Sequence, residues 1–356
     1  MIISLPGMQI RGGTSKGLFL LRDDIEPYAG ALDTLLSALM GMAPRQIDGL
    51  GGATTTTSKV AIVGRSSEDD IDVDYLFAQV HPESGKVDWV PTCGNILAGV
   101  SAFAIERGLV PVAGETTTVR VRLVNTGARV VLTIQTPNGE VRYSGDHMIA
   151  GVGGCAAPVD MIFTDFVGGT TGTLFPTGGR VDFIDGLEVS CVDAGVCAVL
   201  IRAADLGLTG GETSAEINAD AALLSRVERI RRKAGELMAM GEVSGKVVPK
   251  VMLVSASEIA DVRSRYLVPT ACHPAHAVSG AINLASALSI PGTVVYAFRE
   301  GTRASDAVKI EHPGGIIDLA LTLDGEVPVG ASFTSTARKL SDGAVFCEFD
   351  AGTEKR

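Results

Sequence analysis

Alternation of apolar and polar residues divides the chain into short strands, a few helices and the turns between them. Met8–Arg11 and Leu18–Leu21 predict two strands that are joined by a Gly-rich turn. β-Branched runs at 119–124 and 130–135 predict two more, bounded by Gly, Asn and Pro. A similar strand–turn–strand layout recurs at 187–202. The pattern therefore predicts a duplicated unit.

Each half of the chain also contains one long apolar stretch of helical length. Residues 94–107 and 275–288 carry few charged side chains, which is typical of helices buried on all faces. Charges alternate with apolar residues over 225–240, which predicts an amphipathic helix on the surface. We expect an α+β fold in which mainly antiparallel strands wrap a central buried helix in each half.

The length of the chain predicts two domains. A chain of 356 residues exceeds the usual size of one hydrophobic core. The boundary is best placed just before the strand layout recurs. This gives an N-terminal domain at 1–179 and a C-terminal domain at 180–356, whose last strands can return to the first domain. We expect a site in a cleft between the domains, with both buried helices starting there.

Composition narrows the classes of partner. A net charge of −11 and an aromatic content of 5% argue against nucleic acid and anionic membranes, which require basic patches or stacking platforms. No apolar run approaches the ~20 residues of a membrane span, and the first residues lack the basic start of a signal peptide. We therefore expect a cytoplasmic protein. No Cys-x-x-Cys or His-Glu-x-x-His spacing occurs, so neither a disulfide framework nor a zinc site is expected.

A thiol stands at the start of the first apolar helix, in the run Cys93-Gly94-Asn95. Free backbone N–H groups in the first turn of a helix attract anions and favour the thiolate form of a nearby cysteine. Cys93 is therefore a candidate for proton transfer beside a bound carboxylate. The other five cysteines are expected to be inert packing residues.

Lys59 lies where a loop of small residues, 48–58, enters an apolar strand. A lysine that is partly desolvated at such a junction can lose its proton and act as a base toward carbon. A structural ion pair with Asp48 is the alternative, and the sequence leaves both open. The Gly-rich segments at 12–16 and 51–52 lack the spacing of a nucleotide P-loop, so their donors are better matched to a carboxylate.

Several ordered motifs resemble those of the PrpF-type isomerases, a family that includes 2-methylaconitate isomerase and 4-oxalomesaconate tautomerase. The motifs are RGGTSKG at 11–17, QIDGLGG at 46–52, TSKV at 57–60, DVDYLF at 72–77, CGN at 93–95, IEHP at 310–313 and TARKLSDG at 336–343. The resemblance covers nearly the whole chain. It implies a diaminopimelate-epimerase-like fold of two pseudo-symmetric domains and a reaction without a cofactor. A homodimer is the oligomeric state to test.

The same resemblance assigns roles to individual residues. It implies that Lys59 is the base and that Cys93 is its partner in proton transfer. The implied substrate-binding residues are Gly13, Thr14, Ser15, Thr57, Ser58, Gly94, Asn95, His276, His312, Gly314 and Gly315. The implied reaction is a 1,3-allylic proton shift in an unsaturated di- or tricarboxylate. The ending at 336–343 favours 4-oxalomesaconate over 2-methylaconitate or aconitate.

Two other interpretations stay open. One is a two-base racemase or epimerase of the same fold, in which Cys272, expected near the start of the second buried helix, is the second thiol. The other is a non-catalytic accessory protein that binds a carboxylate.

Overall fold

The computed structural model describes residues 1–268, 270–299 and 307–350. The strands are β1 (Ile2–Gly12), β2 (Ser15–Leu21), β3 (Lys59–Arg65), β4 (Val73–Val80), β5 (Val87–Asp88), β6 (Thr116–Leu123), β7 (Arg129–Gln135), β8 (Pro158–Thr164), β9 (Asp182–Ile184), β10 (Leu187–Ala194), β11 (Val196–Arg202), β12 (Lys250–Ser255), β13 (Val262–Leu267), β14 (Ala307–His312), β15 (Gly315–Asp324) and β16 (Val327–Glu348). The α-helices are α1 (Arg22–Ile25), α2 (Leu32–Met40), α3 (Gly94–Leu97), α4 (Val100–Glu106), α5 (Ser214–Ala219), α6 (Ala221–Leu237) and α7 (Val278–Ser289). Short 3₁₀ helices occupy Glu26–Ala31, Pro137–Gly139, Ala203–Leu206 and Tyr296–Arg299.

Two compact units divide the chain. Among the described residues, the first contains Met1–Asn125, Arg129–Met161 and the chain from Thr334 to residue 350, and the second contains Thr126–Ala128 and Ile162–Phe333. Two of the divisions fall inside β8 and β16, and the short segment Thr126–Ala128 lies between β6 and β7. The predicted boundary after residue 179 therefore lies within the second unit, because the chain already packs with that unit from the middle of β8 onward.

The first unit is built on strands that pair in a regular alternation of sense. β1 pairs with β2 antiparallel, β2 with β3 parallel, and β3 with β4 antiparallel. β4 then pairs with β6 parallel, and β6 with β7 antiparallel. The carboxyl-terminal part of β16 pairs with β1 antiparallel, which covers the outer edge of β1.

The second unit repeats this alternation in the same order. β10 pairs with β11 antiparallel, β11 with β12 parallel, and β12 with β13 antiparallel. β13 pairs with β14 parallel, and β14 with β15 antiparallel. In each unit a buried helical segment follows the fourth strand of the series: α3 and α4 after β4, and α7 after β13. The predicted α+β fold of two similar units is confirmed.

The first buried helix departs from the prediction of one helix over 94–107. The structure instead has α3 and α4, which are separated by Ala98 and Gly99. The N–H groups of these two residues bond to carbonyls three positions back, as in a 3₁₀ turn. A Cβ at Gly99 would lie 2.8 Å from Phe19 Cζ, so the chain passes close against β2 at this point. The prediction of one continuous helix is wrong at this close contact.

The other two predicted helices are present, but their ends differ from the prediction: α7 begins at Val278 and not at residue 275, and α6 spans Ala221–Leu237 and not 225–240. α7 is buried along almost its entire length. α6 buries Leu223, Val227, Ile230 and Ala234, whose spacing places them on one face. In the part of the chain that the structure describes, no helix combines the length and apolarity needed to cross a membrane.

Candidate active site

The start of α3 packs directly against the turn between β1 and β2. Asn95 Nδ2 donates to Thr14 Oγ1 at 3.1 Å. A Cβ at Gly12 would lie 2.7 Å from the Asn95 carbonyl oxygen, and one at Gly13, where φ is +52°, would lie 2.8 Å from Asn95 Oδ1. Side chains do not fit at these separations, so the two glycines allow the turn to reach the helix. Predicted site residues 13, 14, 94 and 95 are thus brought together.

Cys93 is the N-cap residue of α3, and its side chain is buried. Its carbonyl oxygen accepts hydrogen bonds from Leu97 N at 3.2 Å and from the Tyr75 hydroxyl at 3.2 Å. Burial, with a smaller contribution from Cys93, raises the pKa of Tyr75, so its hydroxyl stays protonated and can donate. Strand β4 therefore holds the backbone of the candidate thiol in place.

Lys59 opens β3 and has a neutral hydrogen-bond partner. Its Nζ donates to Gln79 Oε1 at 2.7 Å and lies 5.0 Å from the centroid of the Phe77 ring. Gln79 stands directly opposite Lys59 in the antiparallel pairing of β3 and β4. Within the described ranges Lys59 forms no ion pair with Asp48, so the structure does not support that alternative.

Lys59 and the backbone of Cys93 are contacted from one face of the sheet in the first unit. Tyr75, Phe77 and Gln79 alternate along β4, so their side chains project from the same face. The first contacts the backbone of Cys93, and the other two contact the amine of Lys59. One strand therefore contacts both the amine of Lys59 and the backbone of Cys93.

Ser15 supplies an unsatisfied hydroxyl on this face. Its side chain is 3% exposed, and its Oγ has no hydrogen-bond partner among the described residues. A Cβ at Gly17, two positions further along β2, would lie 3.3 Å from Ile96 Cδ1, which shows that this side of β2 faces α3. A buried hydroxyl without a partner is costly, and a ligand oxygen can satisfy it. Ser15 is therefore a candidate ligand donor.

The hydroxyl groups of Thr57 and Ser58 form hydrogen bonds with other residues of the same loop. The fully buried Ser58 hydroxyl donates to Gln46 Oε1, which also accepts from Ala53 N at 2.9 Å. Thr57 Oγ1 lies 2.7 Å from Thr54 Oγ1. These contacts tie together the loop that leads into β3. The two hydroxyls thus stabilise the conformation of the loop that precedes Lys59.

The second unit holds a polar cluster of its own beside α7. The ring of His276 is 2% exposed, and its Nδ1 donates to the Ala277 carbonyl at 3.0 Å. Its Nε2 accepts from the Ser264 hydroxyl at 3.1 Å. Burial lowers the pKa of His276 to about 3, so the ring is neutral. Both ring nitrogens form hydrogen bonds within the unit, so His276 has a structural role and no ring N–H available to a ligand.

His312 is placed differently. Its Nδ1 accepts from Gly314 N at 3.1 Å, and burial is the main cause that lowers its pKa to about 4. A neutral ring that accepts at Nδ1 carries its proton on Nε2, and no described residue accepts that proton. Gly314 and Gly315 begin the return from β14 to β15, and a Cβ at Gly314 would lie 3.3 Å from His312 Cε1. Of the two predicted histidines, His312 is therefore the one that can donate to a ligand.

Cys272 does not lie at the start of α7, which contradicts its predicted place. It pairs with Leu267 in an isolated bridge and packs in the apolar cluster between α6 and strands β10 to β12. Burial raises its pKa, which disfavours the thiolate. The residue that caps α7 is Ala277. The structure thus offers the two-thiol racemase no second thiol at this helix start.

Two buried side chains of interest were missed by the sequence reasoning. Gln79 could have been found from its strand, since an apolar run at 73–80 follows β3 and can place a polar residue opposite Lys59. Arg265 is 6% exposed on β13, and its Nη1 donates to the Ser264 carbonyl at 3.3 Å. Burial is the main cause that lowers its pKa. Nothing in its sequence context marks Arg265 as buried.

All six cysteines are free thiols. Over the ranges that the structure describes, no group of three or more His, Cys, Asp or Glu side chains is arranged to hold a metal ion.

Solved structures define the class to which this fold belongs. A methylitaconate-delta-isomerase matches with a TM-score of 0.83 and 33% identity over 100% of both chains. A hydroxyproline epimerase from Agrobacterium vitis, 13% identical, matches with a TM-score of 0.56 over 96% of this chain and 92% of its own. The second match shows the fold alone. The predicted diaminopimelate-epimerase-like fold is confirmed.

The chain belongs to the PrpF family, whose model, described as PrpF protein, matches residues 2–348. A (4E)-oxalomesaconate Delta-isomerase of Novosphingobium sp. (strain KA1) is 45% identical over 350 residues, which are 96% of this chain and 97% of that protein. A 4-oxalomesaconate tautomerase of Pseudomonas putida is 44% identical over 345 residues, 96% of this chain and 95% of that protein. The predicted family and the isomerase class are confirmed.

Proposed function

We propose that this protein is a cofactor-independent allylic isomerase that moves a C=C bond in an unsaturated tricarboxylate, and that its substrate is 4-oxalomesaconate. The observation that carries this proposal is the shared face of the first unit. Lys59 and the backbone of Cys93 are contacted from this face, and the unpartnered hydroxyl of Ser15 lies on the side of β2 that faces α3. The names of the relatives at 44% and 45% identity support the substrate.

The reaction begins with removal of a proton from carbon. The neutral amine of Lys59 takes a proton from the carbon next to the conjugated system, and the C–H electron pair forms the new C=C bond. The electrons of the original double bond move onto the conjugated carbonyl group, which gives a dienolate. Ser15, Asn95 and the N–H groups that begin α3 donate to the negative charge.

The second step returns a proton to the far carbon. The ammonium of Lys59 or the thiol of Cys93 donates this proton, and the dienolate electrons re-form the carbonyl group, which leaves the C=C bond in its new position. Donation by Lys59 regenerates the neutral amine directly. Donation by Cys93 leaves a thiolate and an ammonium, and these are reset when the thiolate takes up a proton and Lys59 releases one to solvent. Substrate and product are isomers, so no oxidant or reductant is required. In the second unit, the Nε2–H of His312 is the proposed donor to a substrate carboxylate.

Other substrates and another class of function remain to be tested against this proposal. 2-Methylaconitate or aconitate is the second candidate substrate, since a 2-methyl-aconitate isomerase of Shewanella oneidensis is 33% identical over an alignment that covers 96% of this chain and 96% of that protein. An accessory protein would bind a carboxylate without turning it over. The cleft between the domains, the cytoplasmic location and the homodimer stay predictions.

A substrate panel tests the proposal. Purified protein is given 4-oxalomesaconate, 2-methylaconitate, cis-aconitate and methylitaconate in separate assays, and kcat/KM is compared. We expect 4-oxalomesaconate to exceed the others by at least ~10-fold, because a site that pairs with each polar substituent rejects analogues that lack it. A higher value for another acid would reassign the substrate. Binding by calorimetry with no turnover of any acid would favour the accessory protein.

A further inference from the structure

We infer that Gln79 is a positioning residue that directs the amine of Lys59 without fixing its protonation state; this inference rests on the proposed function. The two residues face each other across β3 and β4, and Lys59 Nζ donates to Gln79 Oε1 at 2.7 Å. Gln79 is 6% exposed, so this contact lies away from bulk water.

The orientation of the Gln79 amide is fixed by the backbone. Its Nε2 donates to the Ser58 carbonyl at 3.0 Å and to the Val80 carbonyl at 3.2 Å. Carbonyl oxygens only accept, so rotating the amide by half a turn would set its oxygen against two other oxygens. The oxygen of Gln79 must therefore face Lys59, and the contact is predetermined by the strand pairing.

A neutral acceptor is suited to a base that alternates between two states. An ammonium and a neutral amine both have N–H groups, so either form of Lys59 can donate to Oε1. In the neutral amine, one N–H points at Gln79 and the lone pair is directed elsewhere, where it can take a proton. A carboxylate in the same place would favour the ammonium and oppose loss of the proton.

The ring of Phe77 restricts the amine from a second side. It stands two residues before Gln79 on the same strand face, and its centroid lies 5.0 Å from Nζ. Contact with a ring face favours a cation modestly, whereas the amide carries no charge. Together, Phe77 and Gln79 define the position of Nζ with one apolar and one polar contact.

Two substitutions at Gln79 test the inference. Gln79→Glu keeps the shape but places a carboxylate against the amine, so the acidic limb of the kcat/KM–pH profile should move to higher pH by about one unit. Gln79→Met keeps the length but removes the acceptor. We expect it to lower kcat by about 10-fold with KM little changed, because a misplaced base affects the chemical step more than binding.

Gln135→Glu is the matched control, since it adds the same charge at the end of β7 in the same unit. It should leave both the pH profile and kcat unchanged. If Gln79 had only a structural role, Gln79→Glu would lower the melting temperature while the folded enzyme kept the wild-type pH limb and kcat. That result would overturn the inference. Should Gln79→Met not fold, the pH profile of Gln79→Glu decides.

The two proposals fail in different ways. If the wild-type protein turns over none of the acids in the panel, the proposed function fails. If the wild type is active and Gln79→Glu matches it in kcat and in the pH limb, the inference about Gln79 fails and the proposed function stands.

Discussion

The two units share one strand pattern but differ in chemistry at corresponding places. Lys59 opens the third strand of the first series, and Lys250 opens the third strand of the second. The helical segment after the fourth strand is capped by Cys93 in the first unit and by Ala277 in the second. Both units thus have the same strand scaffold with a lysine at the start of the third strand, whereas a cysteine at the N-cap of the following helix occurs in the first unit.

The two units also differ in the local structure that surrounds their candidate ligand-binding groups. The first unit uses close backbone approach, with glycines that bring a turn against the start of α3. The second unit uses buried neutral histidines, of which His276 is satisfied internally and His312 keeps a donor. We therefore propose that the first unit carries out proton transfer and that the second unit supplies a hydrogen-bond donor.

The largest expected effect comes from the base. Lys59→Ala should lower kcat by at least ~100-fold with KM little changed, because the group that removes the proton is lost while the donors to the carboxylates remain. Steady-state kinetics on 4-oxalomesaconate give both constants. Lys86→Ala, an exposed lysine in the same unit, is the control and should retain full activity. A folded Lys59→Ala enzyme with near wild-type kcat would contradict the proposal that the base for proton transfer lies in the first unit.

A stability difference tests the close contact in the first unit. Gly12→Ala should reduce the free energy of unfolding by about 1–3 kcal/mol, because the added Cβ would meet backbone atoms of Asn95 and Ile96 at 2.7 and 2.8 Å. Gly30→Ala is the matched control, since a Cβ there meets nothing within 4 Å. Urea unfolding measures both. Equal stabilities of the two variants would show that the turn does not press on α3.

A pH effect tests the second unit. The depressed pKa of His312, about 4, means that below about pH 6.5 the unfolded chain binds a proton that the folded chain does not. Stability should therefore fall as pH decreases from about 6.5 toward 4. His312→Asn keeps an acceptor for Gly314 N but cannot titrate, so between about pH 7.5 and 5.5 it should lose about 1 kcal/mol less than wild type. Urea unfolding at the two pH values compares them, and equal losses would contradict a buried neutral ring.

The smallest expected effect concerns Cys272. Cys272→Ala should leave kcat and KM unchanged, because the thiol packs in an apolar cluster rather than at a helix start. The same assay as for Lys59 applies. A loss of activity comparable to that of Lys59→Ala, in a protein that still folds, would instead support the two-base racemase or epimerase in which Cys272 is the second thiol.

Local patterns predicted the repeated strands, because each hairpin is formed by residues that are close in sequence. β1 with β2, and β10 with β11, are of this kind. The extent of the first unit could not be obtained in the same way. It depends on pairing between the two ends of the chain, such as Ile2 with Glu348, and no local period encodes such a contact.

The candidate site was predictable where a motif carries its own chemistry. Lys59 and Cys93 stand out in the sequence because each is a reactive side chain directly before an apolar run. The hydrogen-bonding partners were not predictable, since they follow from strand register. Gln79 contacts Lys59 only because β3 and β4 pair in one particular register. Ser264 lies on β13 and hydrogen-bonds to His276, which precedes α7. A shift of one residue would turn each of them to the opposite face.

Proton NMR in D₂O tests the central claim most directly. Wild-type protein and Lys59→Ala are each mixed with 4-oxalomesaconate, and the allylic and vinylic positions are followed over time. We predict that wild type moves the double bond and incorporates solvent deuterium at the carbon that receives the proton, whereas Lys59→Ala does so at least ~100-fold more slowly. Equal deuterium incorporation by both proteins, or none by either, would contradict an isomerase that works through the amine of the first unit.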